Sequence, residues 1–160
     1  VIPLVKRVVL MSGSIGANAF SAAAVPEWNV KLAIPEAQAV YSAPWPLTIV
    51  PLDSTTYVRL DDAERDALQK ARTPLTVALE TLLRLWTDRS ASRMTLHDQL
   101  ALAEAQEPGR FFGRCDPMPL RVDSEGYTRV DAARGRPVGV CLEPRRDEFM
   151  AHFVAQLSTK

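Results

Sequence analysis

Residues 5–13 read Val-Lys-Arg-Val-Val-Leu-Met-Ser-Gly. Residues 5–11 form a short β-rich run with Val8-Val9-Leu10-Met11 continuously apolar, and Ser12-Gly13 stops it. A short continuous apolar run bounded by turn-forming residues reads as a strand buried on both faces, the kind found in parallel sheets. Two other runs have the same character. Residues 47–52, Leu-Thr-Ile-Val-Pro-Leu, stop at Asp53-Ser54-Thr55-Thr56, and residues 138–142, Val-Gly-Val-Cys-Leu, form the third.

Between these strands the spacing of apolar residues is helical. Residues 35–42 read as a helix with Pro35 in its first turn, and Pro44 forbids its continuation. Asp61-Asp62-Ala63-Glu64 opens a second helix with a capping-box pattern. Thr73-Pro74 opens a third, with a threonine N-cap and a proline at the first helical position. On it Leu75, Leu79, Leu82 and Trp86 form one apolar stripe, with Ala78 and Leu83 alongside. Thr95 begins a helix over residues 96–106, ended by Pro108-Gly109, and residues 147–157 bury Phe149, Met150, Phe153, Val154 and Leu157 at helical spacing. Met118, Leu120 and Val122 alternate, Ser124-Glu125-Gly126 turns the chain, and residues 127–130 return as the second arm of a hairpin.

Strands alternating with helices predict the α/β class: an open, mostly parallel sheet flanked by helices, with a β-hairpin standing apart from the parallel set. The length, 160 residues, suits a single domain over residues 1–160. Ligands of such sheets bind beyond the carboxyl ends of the strands, which points to the loops after Met11 and Leu52. The chain opens on a buried strand without an initiator methionine, so it is expected to begin in mid-fold and to be incomplete.

Charge and composition exclude several classes. Lysine plus arginine and aspartate plus glutamate number 19 each, so no net field draws the chain to nucleic acid or to an anionic membrane. No apolar run reaches membrane-spanning length, and Lys6 and Arg7 interrupt the first one, which therefore fails as a signal-peptide core. Cys115 and Cys141 are too few and too far apart to read as a disulfide framework or a zinc site, and a reducing, cytoplasmic setting is expected.

Three stretches carry the functional signal. The first is Met11-Ser12-Gly13, then Gly16-Ala17-Asn18, then Pro26-Glu27-Trp28-Asn29. The second is Val50-Pro51-Leu52-Asp53-Ser54-Thr55, and the third is His97-Asp98-Gln99-Leu100-Ala101. In this order they resemble the inosine–uridine nucleoside hydrolase family. Its members have a Met-Gly-Gly strand end, a Gly-Asn loop, an Ala-Glu-Phe-Asn segment, a Val-Pro-Leu-Asp-x-Thr strand end and a His-Asp-Pro-Leu-Ala helix start. The closing hairpin, strand and helix are similar as well, so the resemblance covers essentially the whole chain.

What the resemblance implies is a nucleoside N-ribohydrolase, an enzyme of purine or pyrimidine salvage. In the family, calcium holds the ribose hydroxyls and a water, and an aspartate takes a proton from that water. The water then attacks the anomeric carbon through an oxocarbenium-like transition state. Carried over by position, Asp98 is a calcium ligand and His97 the leaving-group acid, while Glu27, Asn29 and Asn18 hydrogen-bond the ribose. The departures are also specific. Ser12 replaces a glycine, Pro26 an alanine, Trp28 a phenylalanine and Gln99 a proline, and the gap from Asn18 to Glu27 is longer than in the family. The family's Asp-x-Asp-x-x-x-Asp-Asp segment, source of the other calcium carboxylates and of the base, is absent from these residues. The chain is therefore expected to be the C-terminal half of such an enzyme, inactive by itself and weak in calcium binding. It is expected to associate with a missing N-terminal half or with copies of itself, because Val5, Val8, Val9, Leu10, Ile49 and Val50 would otherwise lie uncovered.

Each residue also has a plainer reading. Thr95-x-x-Asp98 is a capping box in acidic form, and an acid in the first turn complements the helix dipole by about 0.3–1 kcal/mol. His97 at a helix start disfavours its own protonated form. Glu27 and Asn29 can serve local backbone hydrogen bonds, and Asp53 and Thr55 can cap a strand end. The stretch from Gly13 to Gly16 lacks the spacing of a phosphate-binding loop. His152 and Trp45 read as packing residues. Two rival functions follow: a non-catalytic relic that serves as a nucleoside- or ribose-binding or interaction module, and an unrelated α/β binding domain.

Overall fold

A computed structural model describes residues 4–89 and 94–159. Its five strands are β1 (Val8–Met11), β2 (Leu47–Val50), β3 (Phe112–Val122), β4 (Thr128–Val130) and β5 (Arg136–Pro144). The helices are α1 (Trp28–Leu32), α2 (Ile34–Ser42), α3 (Leu52–Thr55), α4 (Asp62–Ala71), α5 (Pro74–Arg89), α6 (His97–Gln106) and α7 (Arg146–Ser158). One sheet runs in the order β1-β2-β5-β3-β4. The pairs β1–β2 and β2–β5 are parallel, so the three apolar runs form the expected parallel set.

The hairpin does not stand apart. Its first arm extends back to Phe112, and residues 112–120 pair antiparallel with β5, which joins the hairpin to the parallel strands in one sheet. Met118, Leu120 and Val122 show the alternation of a half-buried strand, whereas residues 112–117 do not, and only pairing with β5 holds them extended. β1 is shorter than expected because Arg7 leaves the ladder. Its guanidinium donates to the carbonyls of Glu104 (2.8 Å) and Ala105 (2.6 Å), capping the end of α6.

The same pairing corrects the reading of the cysteines. Cys115 and Cys141 face each other across β3 and β5 and form a disulfide. Proline carries no N–H, so Pro117 and Pro119 mark the positions of β3 that do not donate to β5. Cys115 shares their parity. It therefore occupies a non-hydrogen-bonded pair, where opposed residues come closest, and its Cα lies 4.0 Å from that of Cys141. Twenty-six residues of separation hid a pair that the register makes adjacent. The bond removes the support that free cysteines lent to a reducing compartment.

Two apolar clusters cover the sheet. One gathers Val50, Leu96, Leu100, Phe111, Phe112 and Phe149 under α6 and α7, with Phe111 and Phe149 edge to face at 5.7 Å. The other joins Val30 and Tyr41 to Ile49, Leu120, Val138 and Val140. Ile49 and Val50 are fully buried, contrary to expectation, because β2 is an interior strand flanked by β1 and β5. Val8, Val9 and Leu10 on the edge strand are half-buried. The stripe expected to bury α5 faces outward: Leu83 is buried and Leu79 packs beside it, but Leu75, Leu82 and Trp86 are exposed. No described helix is long and apolar enough to cross a membrane.

Candidate active site

Three segments meet beyond the carboxyl ends of β1 and β2: the loop after β1, the short helix α3 after β2, and the first turn of α6. The loop is built on two acids. Glu27 is buried and caps α1, its carboxylate accepting from the N–H of Asn29 (2.8 Å) and Val30 (3.4 Å). It also accepts from the N–H of Gly13 at 3.2 Å, which ties the end of β1 to the start of α1. Gly13 has φ +85°, and a Cβ there would lie 2.8 Å from the Thr128 hydroxyl, so both backbone and space demand glycine. Asp53 on α3 accepts from the N–H of Ile15 (3.0 Å) and Gly16 (2.6 Å), and the Thr56 hydroxyl accepts from Ala19 N–H (3.0 Å). Ser12 has a structural reason: its hydroxyl lies 3.0 Å from that of buried Tyr41. Burial pushes that phenol up to about 12.

Asn18 is buried at a tight reversal in this loop. Its backbone pairs with Ser21, and its Oδ1 accepts from Phe20 N–H at 2.9 Å. Its Nδ2 is buried and has no hydrogen-bond partner among the described residues. A buried amide donor without a partner is costly, and a ligand or water oxygen would relieve it. The residues that lengthen the gap to Glu27 make this reversal and put Phe20 at its tip, exposed, with the Arg59 guanidinium 5.0 Å from the ring centroid. Asn29 is exposed and its amide donates to the Met11 carbonyl at 3.3 Å. It lines a cleft of about 320 Å³ with Met11, Ser12 and Tyr41.

His97 and Asp98 open α6. The predicted capping box is not formed. Thr95 pairs with Arg59 in an isolated bridge, and Leu96, buried in the core, takes the N-cap position without a side-chain cap. Asp98 is thereby left exposed, with no hydrogen bond or ion pair among the described residues. The half-buried His97 ring places Nδ1 2.8 Å from the hydroxyl of fully buried Thr55. Burial lowers the pKa of His97, and the adjacent Asp98 charge opposes part of that shift. Both residues line a cleft of about 390 Å³ whose other walls include Phe20, Trp86 and Gln99.

The oxygen donors set a limit on any metal. Backbone N–H groups engage the carboxylates of Glu27 and Asp53, so of the three carboxylates on these segments Asp98 is the one with no hydrogen-bond partner among the described residues. Calcium takes six to eight oxygens, usually several from carboxylates, and one is too few to hold it firmly. A second group of metal-ligand types, Glu104 with Cys115 and Cys141, has both sulfurs in the disulfide.

The sequence pattern described as "Inosine-uridine preferring nucleoside hydrolase" matches residues 1–151. The chain belongs to that family. Its fold is shared by a purine-preferring ribonucleoside hydrolase from Gardnerella vaginalis (TM-score 0.77, 22% identity), of which 52% is covered by 95% of this chain. An inosine-uridine preferring nucleoside hydrolase from Bacillus anthracis superposes with a TM-score of 0.75 at 22% identity, over 98% of this chain and 52% of that one. A plant nucleoside hydrolase gives a TM-score of 0.81 at 15% identity, over 96% and 54%. The chain thus spans about half the length of these nucleoside hydrolases. No curated protein sequence matches it.

Of the residues named from the resemblance, Glu27 and Asn29 lie at the start of α1, Asn18 in the loop before it, and His97 and Asp98 on α6. Nothing in the sequence pointed to Phe20 or to the contact of Thr55 with His97, and Trp86, expected in a buried stripe, instead lines the cleft. Thr55 stood in the quoted motif, but nothing local links it to a histidine 42 residues away.

Proposed function

We propose that the chain is the C-terminal half of a calcium-assisted nucleoside N-ribohydrolase. The observation that carries this reading is the cleft beside α6, where His97, anchored on Thr55, stands next to the uncommitted carboxylate of Asp98. His97 meets the departing base and supplies it with a hydrogen bond or proton. Phe20 and Trp86 offer apolar faces in the same cleft for a flat heterocycle. The orphaned Asn18 amide and the exposed Asn29 amide suit the ribose hydroxyls. A carboxylate has about four lone-pair sites, so Glu27 retains capacity for a sugar hydroxyl beyond its three backbone bonds. Asp98 would give one ligand to a calcium ion, which would supply Lewis-acid activation of a water once the remaining ligands were present. The other ligands and the proton-abstracting base come from outside these residues, from an N-terminal half.

A titration of the isotopically labelled chain with inosine or uridine in the presence of calcium tests the site. The amide resonances of Asn18 and Asn29 and the ring resonances of His97 are expected to shift together; no response at millimolar nucleoside would sink the proposal. The same chain is expected not to hydrolyse nucleosides, since proton abstraction lacks its base. Turnover at the rate of a full-length relative would show that the metal and base have been misplaced. The uncommitted single carboxylate also supports a second reading, a nucleoside- or ribose-binding module without catalysis. Binding with no hydrolysis by the whole gene product would select it.

A further inference from the structure

The contact between His97 and Thr55 carries more than anchorage. Thr55 is fully buried on α3, and the His97 ring nitrogen is its hydroxyl's hydrogen-bond partner among the described residues. Two arrangements satisfy the 2.8 Å separation. If Nδ1 carried the proton and donated to Oγ1, the threonine hydrogen would be left in the interior without an acceptor. If the hydroxyl donates to Nδ1, both atoms of this contact are satisfied. A buried hydroxyl without an acceptor is costly, which favours the second arrangement.

From this we infer that Thr55 is a positioning residue that fixes the neutral His97 ring in its Nε2–H tautomer. The two ring nitrogens point in roughly opposite directions, so with Nδ1 turned to the buried threonine, Nε2 faces the cleft that His97 lines. Nε2 has no partner of its own among the described residues. The ring therefore presents an N–H donor, not a lone pair, to whatever occupies the cleft. A nucleobase leaving with its electron pair on a ring nitrogen or carbonyl needs a donor there, and the other tautomer would oppose it with a second acceptor. The threonine of the Val-Pro-Leu-Asp-x-Thr stretch thereby sets the hydrogen-bond polarity of a residue on another element. This use of the tautomer rests on the proposed function, whereas the tautomer itself does not.

Long-range proton–nitrogen correlation spectra of the labelled chain, taken at a pH where the ring is neutral, read the tautomer directly. His152 serves as an internal control, since the chain has 2 histidines. Nδ1 of His97 is expected at the shift of an unprotonated nitrogen and Nε2 at that of a protonated one, and T55S is expected to keep this pattern. T55V removes the donor without changing the side-chain shape and is expected to move both nitrogens to the averaged shifts of a tautomer mixture, with His152 unmoved. A protonated Nδ1 in the wild-type chain overturns the inference, as does a T55V spectrum that keeps the wild-type shifts. The wild-type spectrum and T55S decide the matter even if T55V does not fold. Should the tautomer be as inferred while inosine leaves His97 unperturbed, the assignment of function fails and the role of Thr55 stands.

Discussion

Surroundings decide what a carboxylate does, and Asp98 and Asp131 stand at opposite ends. Asp98 keeps its oxygens uncommitted beside His97, while Asp131 accepts from the Arg121 guanidinium at 2.6 Å, the Arg134 guanidinium at 3.1 Å and the backbone N–H of Ala133 and Arg134. The Arg121 bond leads in holding Asp131 down to about 2, below the ordinary 3.8. A carboxylate whose folded pKa is depressed stabilises the fold above its unfolded pKa, and that contribution is lost as pH falls through the folded value. The wild-type chain is therefore expected to lose stability on acidification from the ordinary carboxylate range towards about 2. Asp131→Asn should melt lower at neutral pH and show a flatter acid limb. Equal acid limbs in melts of the two proteins would contradict this.

Elements are held by devices of two kinds, local and remote. At the start of α5 the Thr73 hydroxyl accepts from Thr76 N–H at 3.1 Å, the cap that Thr73-Pro74 announced. Thr73→Ala is expected to cost about 1 kcal/mol in denaturant unfolding; an unchanged midpoint would show that the cap contributes nothing. The Cys115–Cys141 bond is remote in origin and ties β3 to β5, and the Ser54 hydroxyl donates to the Cys141 carbonyl at 2.8 Å, joining α3 to the same strand. A cross-link closing a loop of this size stabilises by roughly 2–4 kcal/mol, mainly by restricting the unfolded chain. Reduction by a dithiol should lower the melting temperature reversibly, and intact-mass measurement should show the gain of two hydrogens. Free thiols in the purified chain before reduction would refute the pairing.

At the scale of the whole molecule, β1 is one of the two outer strands of the sheet, half-buried and with one edge unpaired among the described residues. The exposed side chains Leu75, Leu82 and Trp86 of α5 add apolar surface elsewhere. Unpaired edges and apolar patches favour association. The purified chain is expected to scatter light as more than a monomer and to bind a hydrophobic dye. A monodisperse monomer at high concentration with little dye binding would show that neither surface seeks a partner.

Much of this was already legible along the chain. The three parallel strands follow from short apolar runs ended by turn residues. The starts of α4 and α5 follow from caps whose partners lie within one helical turn, and α7 from its apolar spacing. The order of the motifs led to the family. These signals are local or periodic, so neighbouring residues suffice to read them. Other features depended on which remote segments meet. Residues 112–117 become strand because β5 offers them a ladder, and Cys141 meets Cys115 because the register makes them opposite. The α5 stripe stays exposed because nothing described packs over it, although its spacing is that of a buried face. Thr95 forsakes its capping box for a bridge with Arg59, which leaves Asp98 uncommitted. At the site, sequence supplied the residue types Asn18, Glu27, Asn29, His97 and Asp98. Tertiary structure decided that Glu27 is spent largely on backbone donors and that His97 rests on Thr55, because a hydrogen bond depends on separation in space and 42 residues of chain lie between that pair.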